Sequence, residues 1–373
     1  AYVCPVSTPT RTSIMSGMNA AHTRITNYTS VNKDWNPDAT DTPSELLDDT
    51  VERTDWNING VTPSSEPLDR AVQITPYPQI LKDNGYYTIH VGKGHWAPNG
   101  TPAANPLNMG FCVNVAGQVA GKPRSYYGEE NYGNTSEAWN FFSVQNMAEY
   151  YGTGTHLTEA LTLEALKTLD YPIERGIPFY LNFCHHAVHT PIHRDSRFFD
   201  KYAERGMDEG QARFASMVEG VDKSLGDLMT YLREHDLEKN TIIIFMTDNG
   251  GNAENKSKGG VRFMHNLPLR NGKGSCYEGG IRVPMMVKWC GKASAGTRVN
   301  TPVICEALFP TILEMAGVTD YEVRQSVDGQ SLVDLITKGS RLAAKAAAKG
   351  EIRSQKDANA FVVAESVSGI DPE

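Results

Sequence analysis

The chain has 373 residues and a mass of 41.0 kDa, which suits one large α/β domain or two medium ones. Its 40% hydrophobic and 21% charged residues are typical of a soluble globular protein with a sizeable core, and no apolar run approaches the roughly 20 residues that span a bilayer. The formal net charge of -9 argues against a general nucleic-acid-binding protein, although a local basic pocket for an anionic substrate is compatible with it.

Helical and strand patterns alternate along the chain. The pattern predicts helices at 78–84, 157–170, 211–235 and 308–316, and strands at 87–91, 179–184, 241–246 and 284–289. The strands are continuous apolar runs, and most are followed by polar loops. This alternation indicates an α/β fold with a mostly parallel central sheet sandwiched between helices.

Two stretches lack this pattern. Residues 30–70 are rich in Asp, Asn, Thr, Ser and Pro with little periodicity, and we interpret them as a long surface excursion. Residues 339–357 are rich in Ala, Lys and Arg, which predicts either an exposed helix or a flexible tail.

Polar residues follow three of the predicted strands. They are Lys93 and His95 after the first, His185, His186 and His189 after the second, and Asp248 and Asn249 after the third. In open α/β sheets the site lies outside the carboxyl ends of the strands. We therefore expect these strands to be parallel and to converge on one cleft, with Lys93, His189 and Asp248 within roughly 20 Å of one another, the reach of a shared small-ligand pocket.

The N-terminal segment predicts a helix start. Pro9 suits a first turn and Gly17 can cap the end, so Ser7 is predicted just ahead of a helix N-terminus, where an anion is favoured. Arg11 lies about one turn later and can reach the same place. These residues alone are also compatible with an N-cap serine and a surface arginine.

The other polar residues also have structural interpretations. Lys93 and Lys273 could be solvated loop lysines, and Asp248 with Asn249 could form a plain turn. The histidines at 185, 189 and 193 have i, i+4 spacing, but Pro191 opposes a helix that would bind zinc.

The run Ser7-x-Pro9-x-Arg11, followed by Ile14-Met15-Ser16-Gly17, resembles the signature of the sulfatase family, in its serine-type, formylglycine-dependent form within the alkaline-phosphatase-like superfamily. Four further motifs follow in the family's order: Gly92-Lys93-Gly94-His95, His189-Thr190-Pro191, Thr247-Asp248-Asn249-Gly250, and Gly272-Lys273-Gly274-Ser275. The likeness extends from residue 1 to about 335.

The resemblance implies hydrolysis of sulfate esters, on sulfated glycans as in bacterial carbohydrate sulfatases. It implies that a maturase oxidises Ser7 to formylglycine, whose hydrated form attacks sulfur, with calcium as the metal. The resemblance also implies a role for each residue. Arg11 steadies residue 7, and Lys93 and Lys273 hold sulfate oxygens. His95 acts as base at the diol, His189 protonates the leaving oxygen, and calcium is bound by Asp248, Asn249 and Ser7.

The sequence departs from the family's pattern at its ends. The family supplies two more metal carboxylates from a strand before the signature, whereas six residues precede Ser7 here, and Asp48 and Asp49 come after it. We expect an N-terminally incomplete catalytic domain at 1–335, lacking that strand segment and most of the C-terminal subdomain, with 336–373 as a tail or the start of that subdomain. A periplasmic or secreted protein is expected, although the chain shows no signal peptide.

Two other functions stay open at this stage. One is a phosphate or phosphonate ester hydrolase of the same superfamily, and the other is a non-catalytic protein that binds sulfated glycans. A serine-triad esterase is disfavoured because no Gly-x-Ser-x-Gly motif is present.

Overall fold

The computed structural model describes residues 1–29, 57–134, 141–252 and 265–338. The strands are β1 (Val61–Pro63), β2 (Val72–Ile74), β3 (Tyr87–Gly92), β4 (Val113–Val115), β5 (Phe179–Cys184), β6 (Ile243–Met246) and β7 (Met285–Lys288). The α-helices are α1 (Ser7–Ser16), α2 (Ala20–Thr23), α3 (Tyr77–Asp83), α4 (Leu157–Glu174), α5 (Phe199–Ala203), α6 (Glu209–Glu234), α7 (Glu278–Ile281) and α8 (Leu308–Met315). The α/β fold class is confirmed.

A parallel three-stranded sheet in the order β4-β3-β5 forms the centre of the fold. Ile89 of β3 pairs with Val113 of β4 and with Leu181 of β5, and the pairing continues to Gly92 opposite Cys184. Because all three strands run in the same direction, their carboxyl ends lie at one edge of the sheet. Lys93 follows β3 at that edge and donates its backbone N–H to the Cys184 carbonyl.

Helices cover both faces of this sheet, as the continuous apolar strands predict. On one face α4 and α6 pack over Phe179, Leu181 and Phe183. On the other face α1, α3 and α8 form a second core, which Tyr180 contacts. The alternation of side chains along β5 therefore divides its residues between two cores. No helix among the described residues is both long enough and apolar enough to cross a membrane.

The third predicted strand, β6, does not join the hydrogen-bonded parallel sheet. β6 pairs antiparallel with β7, with Ile243 opposite Lys288, and it is not hydrogen-bonded to β5. Instead, β5 and β6 line the two sides of a cleft of about 1000 Å³. The apolar residues of both strands are consequently half-buried where a continuous sheet would bury them.

The structure also corrects two local predictions. Val61–Pro63, within the supposed surface excursion, is a fully buried strand, because it pairs with β2 and packs in the core below α1. The helix predicted to end at residue 170 continues through Pro172 to Glu174. The rest of the excursion at 30–56 and the stretch at 339–357 lie outside the described residues.

Gly17 and Gly85 form a matched pair for testing how tightly the end of α1 is packed. Both have left-handed backbones, with φ of 72° and 87°. A Cβ at Gly17 would lie 2.9 Å from Cγ1 of Val327 and 3.0 Å from Cγ of Phe309, whereas a Cβ at Gly85 would have no neighbour within 4 Å. We expect Gly85→Ala to lower the free energy of unfolding by about 1 kcal/mol through backbone strain. Gly17→Ala should cost roughly 1–3 kcal/mol more through overpacking.

Urea unfolding of the two variants measures this difference. Equal losses of stability in the two variants would contradict the close packing of α1 against α8.

Candidate active site

Helix α1 places Ser7 and Arg11 on one face, since they are four residues apart. Ser7 is the first residue of the helix and Val6 is its N-cap, so Ser7 lies one position further into the helix than the sequence predicts. The Ser7 hydroxyl donates a hydrogen bond to the Asp248 carboxylate. Arg11 Nε donates to Ser7 Oγ at 3.0 Å and to Asp248 Oδ2 at 2.8 Å.

Asp248 is the anionic centre of the site. Its Oδ2 atom lies 3.5 Å from Lys93 Nζ in addition to its contacts with Arg11 and Ser7. Burial opposes ionisation of this carboxyl group, but the charges of Arg11, Lys93 and Lys273 outweigh it and hold the pKa of Asp248 well below its ordinary value. Asp248 is therefore ionised at neutral pH.

Lys93 is almost fully buried, with 3% of its surface exposed. Burial lowers the pKa of its ammonium group to about 7, and the opposing attraction of Asp248 only partly offsets this effect. Gly92 makes the turn that brings Lys93 into the site, with φ of 92° and a position at which a Cβ would lie 2.0 Å from the Cys184 carbonyl oxygen. The buried ammonium group is thus an incompletely compensated cation.

Lys273 reaches the same region from the loop before α7. Its backbone N–H donates to the Gly251 carbonyl at 2.9 Å, and the next N–H, of Gly274, donates to the Pro5 carbonyl at 2.8 Å. These bonds tie the loop to the residues after β6 and to the segment that precedes Ser7. Burial lowers the pKa of Lys273 as well, with Asp248 opposing the shift.

His189 and His95 lie near these charges. His189 Nδ1 is 3.0 Å from the Thr190 carbonyl oxygen and 3.1 Å from Thr190 Oγ1. Burial, followed by the charges of Lys273 and Lys93, lowers the pKa of His189 to about 3. His95 is buried, its Nδ1 atom has no hydrogen-bond partner among the described residues, and burial holds its pKa well below the ordinary value. Both imidazoles are neutral at pH 7.

A single cavity of about 1270 Å³ joins these groups. Six of the predicted site residues line it: Arg11, Lys93, His189, Asp248, Asn249 and Lys273. Ser7 lies at its wall through the hydrogen bond to Asp248. His95 is not among the lining residues. The side chains that follow β3, β5 and β6 therefore share one site, although β6 belongs to a different sheet.

The donor atoms of Asp248, Asn249 and Ser7 fit a hard cation. Asn249 Oδ1 is buried and accepts no hydrogen bond among the described residues, while its Nδ2 atom donates to the Gly250 carbonyl at 2.9 Å. An amide oxygen without a hydrogen-bond partner, next to an ionised carboxylate, is the type of ligand that calcium prefers. Across the described part of the chain, no three or more His, Cys, Asp or Glu side chains are grouped to hold a metal, so the oxygen donors present form a partial ligand set.

Tyr126 is a residue of this region that the sequence does not single out. Its hydroxyl donates to the carbonyl oxygens of His186 at 2.8 Å and His189 at 3.1 Å, which fixes the loop after β5. His193 stacks on Tyr127, with ring centroids 4.4 Å apart, so the spacing of 185, 189 and 193 does not produce a helical metal site. A tyrosine distant in sequence from the loop gives no local signal of this contact.

Comparison with known proteins gives a consistent result. A family model described as Sulfatase matches residues 1–318. N-acetylgalactosamine-6-sulfatase of Mus musculus is 28% identical over 273 residues, covering 71% of this chain and 49% of that protein. A sulfatase of Formosa agariphila is 26% identical over 311 residues, covering 71% of this chain and 54% of that protein. The chain thus spans about half the length of these curated relatives.

Among solved structures, Ps i-CgsB in complex with k-i-k-neocarrahexaose superposes with a TM-score of 0.68 at 26% identity. The similarity covers 91% of this chain and 67% of that one.

The buried histidines predict a loss of stability in acid. Burial lowers the pKa of His90 to about 3 and that of His156 to about 4, and it holds the pKa of His186 well below its ordinary value. An unfolded histidine titrates near pH 6.5, so below roughly that pH the unfolded chain takes up protons that the folded chain cannot. Each buried histidine should cost about 1.4 kcal/mol per pH unit between roughly pH 6.5 and its folded pKa.

Thermal unfolding between pH 8 and pH 5 measures this effect. We expect the melting temperature to fall below pH 6.5, with a shallower slope in His90→Gln and an unchanged slope in the control His235→Gln, because His235 is exposed. A melting temperature that stays constant down to pH 5 would contradict the neutral, buried state of these rings.

Proposed function

Because this chain belongs to the sulfatase family, we propose that the protein hydrolyses sulfate esters of glycans in the cavity beside Ser7. The observation that carries this proposal is the position of Ser7 between Asp248 and Arg11, at the wall of a cavity that Lys93 and Lys273 also line. A reactive position beside buried cations is suited to attack on an anionic ester.

The charge of the cavity favours an anion. Among the described residues, Asp248 is the carboxylate that offsets the charges of Arg11, Lys93 and Lys273, and burial lowers the pKa of both lysines. A sulfate group bound among these cations would supply the missing negative charge and favour the protonated form of Lys93. We assign Lys93 and Lys273 to the sulfate oxygens for this reason.

Ser7 is a weak nucleophile in its unmodified form. Its hydroxyl donates to Asp248, whose pKa is too low for a useful general base. The hydrated form of the formylglycine that a maturase would make from Ser7 would supply a more reactive hydroxyl and a route for release of sulfate, and calcium held by Asp248 and Asn249 would supply positive charge beside it. Arg11 holds residue 7 in place through its bond to Oγ.

His189 is assigned to the leaving oxygen. Donation of its Nδ1 proton to the Thr190 carbonyl fixes the ring and leaves Nε2 for the substrate. The low pKa of His189 in the empty cavity arises from burial and from the charges of Lys273 and Lys93. A bound sulfate would offset those charges, raise the pKa of His189 and so allow an imidazolium to protonate the departing alcohol. His95 is assigned to the base step at residue 7 because its neutral, buried ring lies close to Lys93.

A glycan substrate is supported by the relatives and by the size of the cavity. The N-acetylgalactosamine-6-sulfatase is named for a sulfated sugar, and Ps i-CgsB binds a neocarrahexaose. A cavity of about 1270 Å³ exceeds the roughly 300–1,000 Å³ of most small-molecule pockets. It therefore has room for a sugar residue together with its sulfate.

Substitution of Ser7 tests the nucleophile. Protein co-expressed with a serine-oxidising maturase should carry a residue 7 two hydrogens lighter by mass spectrometry and should release sulfate from an aryl sulfate and from sulfated oligosaccharides. Ser7→Ala should lose turnover by at least about 10³-fold, within the range typical for removal of a nucleophile. Ser7→Cys should be active in a host that oxidises cysteine signatures.

This experiment has a different expected result for each alternative function. Near-full activity of Ser7→Ala would contradict the mechanism. Preferential cleavage of phosphate or phosphonate esters would favour the related hydrolases, and binding of sulfated oligosaccharides without turnover and without oxidation of Ser7 would favour a binding protein.

Substitution of Asp248 tests the metal site independently of turnover. We expect Asp248→Ala to abolish calcium binding in calorimetry and Asn249→Ala to weaken it by about tenfold or more, the usual effect of losing a ligand or its support. Asp227→Asn, which removes a carboxylate paired with Lys223 on the surface of α6, is the control and should bind calcium normally. Calcium affinity that is unchanged in Asp248→Ala would refute the assignment.

A further inference from the structure

His186 is buried without a partner. It has 2% of its surface exposed, and neither ring nitrogen forms a hydrogen bond with any described residue. A buried polar group without a hydrogen-bond partner destabilises the folded state. The free energy lost here calls for an explanation, because the ring occupies a position at which an apolar side chain would avoid the cost.

The chain direction after β5 places this ring on the side of Arg11. His185 points towards α6, where its Nε2 atom lies 2.8 Å from Ser224 Oγ. The Cys184 side chain points the other way, to the side of Arg11, with which it interacts electrostatically. Because side chains alternate along an extended segment, His186 lies on the Arg11 side. It lines the same cavity as Lys93.

The backbone of His186 is fixed while its ring is left free to bind a ligand. Tyr126 donates its hydroxyl to the His186 carbonyl oxygen at 2.8 Å. Burial and the nearby charges of Lys93 and Arg11 hold the pKa of His186 well below its ordinary value, so the ring is neutral. A neutral imidazole has one N–H donor and one acceptor. Beside two cations, the group that this donor can serve best is an oxygen of a bound anion.

We propose that His186 is a sulfate-binding residue, whose ring N–H donates a hydrogen bond to an oxygen of the sulfate group held by Arg11 and Lys93. This inference rests on the sulfate site of the proposed function and adds to it a neutral donor. The two cations provide attraction, and the fixed ring provides direction, because a hydrogen bond weakens steeply when it is bent.

The proposal predicts that replacing the His186 ring with an apolar one changes sulfate affinity and folding stability in opposite directions. In the empty cavity the unsatisfied ring destabilises the folded chain, and binding of the anion removes that cost. Phenylalanine has a planar ring of similar shape without polar atoms, so it should relieve the cost permanently and lose the donor. If His186 merely filled space, its replacement by phenylalanine would not weaken sulfate binding.

Binding of inorganic sulfate to the protein tests the inference by calorimetry, with His186→Phe and His186→Asn as variants. We expect His186→Phe to bind sulfate about tenfold more weakly, the equivalent of one hydrogen bond of about 1.4 kcal/mol, while its melting temperature equals or exceeds that of the wild type. His186→Asn keeps an N–H donor and should recover part of the affinity. In enzyme with oxidised Ser7, KM for an aryl sulfate should rise in His186→Phe by a similar factor.

Two results would overturn the inference. One is sulfate affinity in His186→Phe equal to that of the wild type, and the other is a large loss of thermal stability in His186→Phe, which would show that the ring has a structural partner. Sulfate binding requires neither oxidation of Ser7 nor turnover. A protein that carries oxidised Ser7, releases no sulfate from its esters and still binds sulfate through His186 would therefore refute the proposed hydrolysis and leave this inference intact.

Discussion

The Asp248 carboxylate is the contact on which the geometry of the site depends. It accepts hydrogen bonds from Ser7 and Arg11 of α1 and lies beside Lys93 at the end of β3. Without it, Arg11 and Lys93 would be buried cations with no counter-charge among the described residues, a state that costs several kcal/mol per ion. The same contact connects the loop after β6 to the rest of the protein, because β6 is not hydrogen-bonded to β5. Formation of the site therefore also helps to attach this strand.

The N-terminal segment provides the second connection. The Tyr2 N–H donates to the Val303 carbonyl at 2.7 Å, and the Val3 N–H donates to the Ile281 carbonyl at 2.8 Å. The Pro5 carbonyl then accepts from the loop that carries Lys273. Since Ser7 follows two residues later, the backbone that positions the predicted nucleophile also positions one of the lysines that we assign to the sulfate oxygens. A shift of this segment would move both groups together.

The sequence predicts those parts of the fold that depend on local pattern. The bounds of β5 match the prediction because a continuous apolar run between polar residues specifies a buried strand. The pairing of β6 is a different matter, since periodicity contains no information on which neighbour a strand pairs with. β1 has only three residues and lies in a polar context, so its burial comes from tertiary contacts. The motifs of the resemblance locate Ser7 and Asp248, whereas the isolation of His186 depends on burial and could not be predicted from its neighbours in sequence.

The cleft between β5 and β6 reduces the stability of the fold close to the site. Apolar residues of both strands face this space of about 1000 Å³ and are only half-buried, so they contribute less hydrophobic stabilisation than a closed sheet would obtain from them. Any widening of the cleft would carry Asp248 away from Lys93 and Arg11 and would leave their charges uncompensated. Electrostatic attraction at the carboxyl end of the strands therefore opposes separation of the strands themselves. An anion bound among these cations would weaken the dependence of Arg11 and Lys93 on Asp248, and occupancy of the site would then alter the forces that hold the two sheets together.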